Sequence, residues 1–171
     1  LTPTLTLKNR IFMSSMSRIR GEKSNSGLTT DIMSTYYTQR SSAGLIYSEP
    51  LYVTSDSIVN LGECGLWDDK HIDGWKRITD DVHSNDGAIF ASLYHGGRGS
   101  HSAFNGGTNC TSASEVNANM MIYVNGKKIG TETPTEITDE EIERVVECYY
   151  SAAKRAKKAG FDGLNINASS G

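Results

Sequence analysis

Residues 137–171, ITDEEIERVVECYYSAAKRAKKAGFDGLNINASSG, decide the fold because they join one complete helix to one buried strand. Thr138 and Glu141 have the spacing of a capping box, and apolar side chains then recur every three or four positions. This pattern predicts a helix over 139–159, which Gly160 can end in the left-handed conformation. The apolar run that follows is typical of a strand covered on both faces.

The same alternation of helix and strand extends back to the start of the chain. The pattern predicts helices over 30–42, 69–84 and 139–159, and strands over 11–16, 45–47, 88–94 and 161–166. This order is typical of a parallel sheet with crossover helices, although periodicity alone leaves a doubly wound sheet and a barrel open. The polar stretch 96–134 contains Asn125-Gly126 between apolar residues, which predicts a small hairpin inside a long insertion.

Composition excludes several classes of function. The formal net charge of −3, from 17 basic and 20 acidic residues, argues against a nucleic-acid partner. There is no apolar run of roughly 18 residues, so we expect no membrane span, and the start of the chain lacks a signal peptide's apolar core. A cytoplasmic location is therefore expected. Cys64, Cys110 and Cys148 form no closely spaced pair, so no metal site is predicted.

Four segments of the chain resemble, in order, sequences of the Old Yellow Enzyme family of flavin oxidoreductases. They are 6–18 (TLKNRIFMSSMSR), 36–50 (YYTQRSSAGLIYSEP), 65–98 (GLWDDKHIDGWKRITDDVHSNDGAIFASLYHGGR) and 137–171. The resemblance implies an α/β fold of TIM-barrel type. Residues 1–171 would be one domain, the N-terminal half of an FMN-binding barrel, with about four β/α units and a hairpin-bearing insertion after the third strand.

In that family FMN lies across the C-terminal mouth of the barrel. NAD(P)H reduces the flavin, which then passes a hydride to the β-carbon of an α,β-unsaturated carbonyl. Hydrogen-bond donors aimed at the carbonyl oxygen stabilise the charge that develops there. The resemblance implies two sets of site residues, namely the cofactor-binding Ser15, Met16, Ser17, Pro50 and Ser92 and the catalytic Asn167 and Ser170.

Several of these residues depart from the family pattern. Asn167 and Ser170 stand where the family has a histidine and an asparagine or second histidine, and both have a shorter reach. Ser92 replaces a glutamine that pairs with the flavin, and Pro50 has no backbone N–H to offer. Losing one well-aimed donor costs about 3 kcal/mol of barrier, so we expect weak or no activity from this chain alone.

Ordinary structural roles stay open for the same residues. Serine side chains usually bond to backbone or water, which is the favoured interpretation for Ser170 and an open one for Ser17 and Ser92. Asn167 can equally cap the end of its strand. His95, just past the third strand, is interpreted as structural rather than as part of the site.

Three hypotheses follow for the function. The chain is part of an FMN-dependent ene reductase, a catalytically decayed structural subunit or fragment held in a larger assembly, or a flavin-binding module without turnover. A half barrel leaves two strand edges and many apolar side chains open, so we expect another chain or a second copy to cover it. The side chains expected to be left open are Phe12, Met13, Leu45, Ile46, Phe90, Leu93, Leu164 and Ile166.

Overall fold

A computed structural model describes residues 5–24, 26–124 and 126–169. Its three α-helices are α1 (Asp31–Thr38), α2 (Ile72–His83) and α3 (Asp139–Lys158). Its strands are β1 (Phe12–Met13), β2 (Leu45–Tyr52), β3 (Cys64–Gly65), β4 (Ile89–Tyr94), β5 (Thr111–Ser112), β6 (Met121–Val124), β7 (Lys127–Gly130), β8 (Thr135–Glu136) and β9 (Gly163–Ile166). None of the described helices is both long and apolar enough to cross a membrane.

The main sheet has the order β1-β2-β4-β9, and each of these neighbours is parallel. A helix connects each strand to the next along this path, as the alternating sequence pattern predicts. The short β3 also pairs with β2 in the parallel sense. The predicted α/β architecture of about four parallel β/α units is therefore confirmed.

Helix α3 begins and ends largely as the sequence predicts. Thr138 Oγ1 accepts a hydrogen bond from the backbone N of Glu141 at 3.3 Å. The second half of the expected capping box does not form, because the Glu141 carboxylate instead binds the Arg144 guanidinium, with Nε to Oε2 at 2.8 Å. Gly160 has φ of 82°, so it supplies the predicted left-handed residue, and a Cβ there would lie 2.9 Å from Thr79 Oγ1.

Strand β2 continues past the predicted end at Tyr47, and β1 is shorter than the predicted 11–16. The strand can contain Pro50 because the pairing with β4 shifts register between Tyr47 and Pro50. At this irregularity Ser48 Oγ accepts the backbone N–H of Ser92 at 3.0 Å. A side chain therefore replaces a backbone partner, which local sequence could not indicate.

The hydrophobic core lies between the sheet and the three helices. Trp75, Tyr37 and Met33 pack there against the outward side of β2 and β4. This corrects part of the expectation about open apolar side chains, since Leu45, Ile46 and Leu93 are all buried. Ile46 and Leu93 lie on the side of the sheet that the helices cover. The prediction from the sequence did not distinguish this side from the side that faces the barrel interior.

Other side chains from the same expectation do remain open. Phe12 is 45% exposed, Leu164 is 42% exposed and Ile166 is 67% exposed. On the inner face, the Tyr47 ring contacts the rings of Phe12 and Phe90 at centroid distances of 6.4 and 6.0 Å. An aromatic row therefore covers part of the face that a closed barrel would enclose.

The insertion after β4 contains the predicted hairpin. Strands β6 and β7 pair in the antiparallel sense, from Met121 opposite Gly130 to Val124 opposite Lys127. Gly126 in the connection has φ of 77°, as a tight turn requires. Asn125 and Ser170 lie outside the described residues.

Candidate active site

A cavity of about 260 Å³ opens at the C-terminal ends of the parallel strands, and we call it the mouth cavity. Its lining comprises Ser15, Ser17, Pro50, Tyr52, Val59, Asn60, Glu63, Tyr94, Gly99, Met120, Asn167 and Ser169. Ligand pockets usually measure about 300–1,000 Å³, so this one is small and lies at the rim where barrel enzymes place their sites. The fold therefore brings together Ser15, Ser17, Pro50 and Asn167 from three different strands or strand ends.

The segment that follows β1 contributes to the cavity a buried hydroxyl group with no hydrogen-bond partner in the part of the chain that the structure describes. Ser15 Oγ is buried and has no hydrogen-bond partner among the described residues, while Ser17 is exposed. Burying a hydroxyl without a partner costs about 1–3 kcal/mol, so an atom of this kind favours a ligand that bonds to it. Met16 is exposed and does not line the cavity.

Ser92 and Pro50 occupy neighbouring positions, since they are paired in the register of β2 and β4. Ser92 is fully buried and does not line the cavity. Its Oγ accepts a hydrogen bond from Asn165 Nδ2 at 3.3 Å, and its backbone N is bound to Ser48. Pro50 lines the cavity but has no backbone N–H to donate.

Asn167 stands directly after β9, with its backbone N donating to the carbonyl oxygen of Leu93 at 2.9 Å. Its Oδ1 accepts two hydrogen bonds from Ser169, one from the backbone N at 3.1 Å and one from Oγ at 2.7 Å. These bonds fix the amide so that Nδ2 is the group left to donate. The other half of the predicted catalytic pair, Ser170, is outside the described residues.

Sequence reasoning missed the far wall of the cavity, which Tyr52, Asn60, Glu63 and Tyr94 form. The rings of Tyr52 and Tyr94 meet edge to face at 5.3 Å. The Tyr52 hydroxyl also bonds with Glu63, and burial, followed by the Glu63 charge, raises the pKa of Tyr52 well above its ordinary value. A sequence-based prediction of β2 that ran to Tyr52 would also have placed Tyr52 at the strand end, where the mouth cavity lies.

His95 makes a local hydrogen bond and also lines cavities, so the interpretation of this residue as structural stays a prediction. Its Nδ1 accepts a hydrogen bond from the backbone N of Gly97 at 3.1 Å, and burial lowers its pKa. The ring lines two further cavities beside the mouth cavity. Among the described residues, no group of three or more His, Cys, Asp or Glu side chains could hold a metal ion.

A sequence profile of the family described as NADH:flavin oxidoreductase / NADH oxidase matches residues 2–171. The chain belongs to this family. The fold of this chain is similar to that of the old yellow enzyme homologue from Zymomonas mobilis, with a TM-score of 0.90 and 35% sequence identity. That match covers 95% of this chain and 45% of the Zymomonas chain.

Two curated members of the family give the same coverage. Flavin oxidoreductase hxnT of Emericella nidulans is 32% identical over 96% of this chain and 43% of its own length. A probable flavin mononucleotide-dependent alkene reductase of Leishmania infantum is 31% identical over 96% of this chain and 46% of its own. The chain thus spans less than half the length of these relatives and corresponds to the N-terminal half of the family's barrel.

Proposed function

We propose that this chain forms the part of an FMN site that contacts the isoalloxazine ring. The oxidoreductase to which this site belongs would use NAD(P)H to reduce α,β-unsaturated carbonyls. The observation that carries this proposal is the mouth cavity, where Ser15, Ser17, Pro50 and Asn167 converge at the strand ends. The Leishmania relative described as an alkene reductase supports the same reaction class. We further propose that the 171-residue chain alone reduces such substrates weakly or not at all.

The residues present fit a flavin best along the end of β1. FMN, when bound, would supply the hydride chemistry. Ser15 Oγ offers an unpaired hydroxyl to a polar ring edge, and the exposed Ser17 offers a second. Along β2 and β4 the fit is poorer, because Pro50 lacks a donor and Ser92 is already bonded to Asn165.

The carbonyl oxygen of a substrate would be held by Asn167 Nδ2 and, in this proposal, by Ser170. The bonds from Ser169 orient the Asn167 amide, so its donor is fixed before a ligand arrives. The side chains of Asn167 and Ser170 both reach less far than the histidine and the asparagine or second histidine of the family pattern, and losing one well-aimed donor costs about 3 kcal/mol of barrier. This loss is the physical reason for the weak activity that we expect.

The proposal also requires something to complete the barrel. Among the described residues, strands β1 and β9 each pair with a single neighbour, and Ile11, Phe12, Leu164 and Ile166 are exposed at these two edges. Fully burying one such side chain stabilises a protein by about 1.5–3 kcal/mol. We propose that residues 1–171 form one domain with the covering part, which is further polypeptide, another chain or a second copy.

A second candidate is a structural subunit or fragment that is held in a larger assembly and has lost turnover. The hydrogen bond between Ser92 and Asn165 favours it, because a residue expected at the flavin is instead used to join β4 to β9. A flavin-binding module without turnover is the intermediate case. Binding and turnover must therefore be measured separately.

The test is a titration of FMN with the purified chain, followed by quenching of the flavin fluorescence. We expect weak, saturable binding that Ser15→Ala weakens, because the variant removes the unpaired hydroxyl. Ser14→Ala is the matched control, since Ser14 is the exposed neighbour outside the cavity lining. Binding that is absent, or equally affected by both variants, would refute the assignment of this cavity to the flavin.

A further inference from the structure

The charge that lines the mouth cavity is negative. Among its lining residues, Glu63 is the single charged side chain, and the others are neutral polar, aromatic or aliphatic. Glu63 is only 5% exposed, so its carboxylate is largely removed from water while one side of it faces the cavity. In such surroundings a charge acts over several ångströms with much less screening than at the protein surface.

The bonds that Glu63 makes suit an anion. Its Oε2 accepts from the backbone N of Asn60 at 3.1 Å, and its Oε1 accepts from Asn60 Nδ2 at 3.4 Å. The Tyr52 hydroxyl bonds with it as well. These partners are neutral, and no ion pair of the described residues includes Glu63. Its charge is therefore stabilised by hydrogen bonds but is not cancelled.

The backbone around Glu63 is held in place on both sides. Cys64 follows it and pairs with Leu51 in the parallel contact of β3 with β2. Gly62 precedes it with φ of 87°, and its carbonyl oxygen accepts from the backbone N of Gly21 at 2.9 Å. The carboxylate is thus fixed at the wall of the cavity before any ligand enters.

We propose that Glu63 determines ligand specificity in the mouth cavity by favouring substrates that carry a cationic group and disfavouring anionic ones of the same shape. This inference deepens the proposed function and rests on it, because it names the class of unsaturated carbonyl compound that the cavity would take. A cation near Glu63 gains a carboxylate that forms no ion pair among the described residues, whereas an anion meets a like charge.

The test uses two enones with the same carbon skeleton, one bearing a trimethylammonium group and one bearing a sulfonate group. Their dissociation constants for the purified chain are measured by calorimetry with FMN at a saturating concentration and at about 0.15 M salt, where surface charges are screened. We expect the cationic enone to bind about tenfold more tightly. Glu63→Gln should bring the ratio of the two constants close to one, and the affinity for an uncharged enone of the same skeleton is measured so that both constants can be normalised to it.

Two further variants keep the test decisive. Glu143→Gln removes an exposed carboxylate from α3, outside the cavity lining, and should leave the ratio unchanged. Met120→Lys adds a cation at an exposed position of the cavity wall and should shift the ratio towards the anionic enone. Equal affinities in the parent chain, no binding of either enone, or a ratio that neither Glu63→Gln nor Met120→Lys alters would overturn the proposal.

Binding of FMN to the same chain is measured in parallel by quenching of the flavin fluorescence. A preference for the cation that Glu63→Gln abolishes, in a chain that does not bind FMN, would count against the proposed flavin site while supporting the role of Glu63. Binding of FMN without any preference between the two enones would support the flavin site and count against the role of Glu63.

Discussion

Tyr37 and Glu49 bind each other through two hydrogen bonds that run in opposite directions. The Tyr37 hydroxyl donates to Glu49 Oε1 at 3.3 Å and accepts the backbone N–H of Glu49 at 2.8 Å. The pair joins α1 to β2 behind the mouth of the half barrel, and Glu49 is only 2% exposed. Burial raises the pKa of the Glu49 carboxyl from 4.5 to about 7, against the opposing hydrogen bonds from Arg18 N and Tyr37.

The first prediction concerns pH. The folded chain holds the Glu49 proton more tightly than the unfolded chain, so this contribution to stability is complete below pH 4.5 and is lost as the pH rises to about 7. Glu49→Gln places a neutral side chain at this position at every pH. The free energy of unfolding of the variant minus that of the parent should therefore rise by up to about 3 kcal/mol between pH 4.5 and about 7. Urea unfolding of both proteins at either end of the range measures this. Parallel pH profiles would contradict it.

A second prediction concerns the other member of the pair. Tyr37→Phe leaves the buried backbone N–H of Glu49 without its acceptor, and we expect a loss of about 1–3 kcal/mol in the free energy of unfolding. Tyr36→Phe is the matched control, because Tyr36 is only partly buried and its ring contacts Arg40. Equal losses in the two variants would show that the hydroxyl of Tyr37 has no special role.

A third prediction concerns the end of α3. Gly160→Ala places a Cβ in a left-handed residue and 2.9 Å from Thr79 Oγ1, whose hydroxyl donates to the carbonyl oxygen of Ala159 at 2.6 Å. The strained backbone alone costs about 1–2 kcal/mol, and the displaced hydroxyl adds to it. Gly130→Ala, with no atom within 4 Å of the added Cβ, should change the melting temperature little.

The helix ends were predictable because their signals are local. Thr138 and Gly160 act within a few residues of themselves, so the sequence pattern contains the whole interaction. The continuation of β2 past Pro50 was not predictable, because it depends on a register shift against β4. Nor could the sequence indicate that Ser92 bonds to Asn165, since the two residues meet only when β9 joins the sheet. The cavity wall at Glu63 was missed for the same reason. Cys64, which follows Glu63, pairs with Leu51 in the part of β2 that the sequence pattern did not predict.

A fourth prediction concerns the carbonyl site. Asn167→His with Ser170→Asn restores the residue types of the family, yet we expect no gain in enone reduction by the chain alone. The rest of the flavin site would still be absent, so better donors would have no reduced flavin to work with. Steady-state NADPH oxidation above a protein-free FMN control would contradict this expectation.

A fifth prediction concerns association. The exposed edges of β1 and β9 and the apolar side chains on them should make the isolated chain self-associate. Sedimentation equilibrium over a dilution series should show an average mass that rises with concentration. A compact monomer that melts cooperatively at micromolar concentration would mean that the chain closes its core without a partner.

We propose that these residues form the part of a flavin site that contacts the isoalloxazine ring, and that this site needs the other half of a barrel. Visible absorbance after gel filtration distinguishes the possibilities, with the chain alone and with the chain joined to the C-terminal half of the Zymomonas homologue. We predict that the chain alone emerges without flavin and that the joined protein retains the yellow absorbance of bound FMN. Stoichiometric FMN on the chain alone, or a folded joined protein without flavin, would refute the proposed half site.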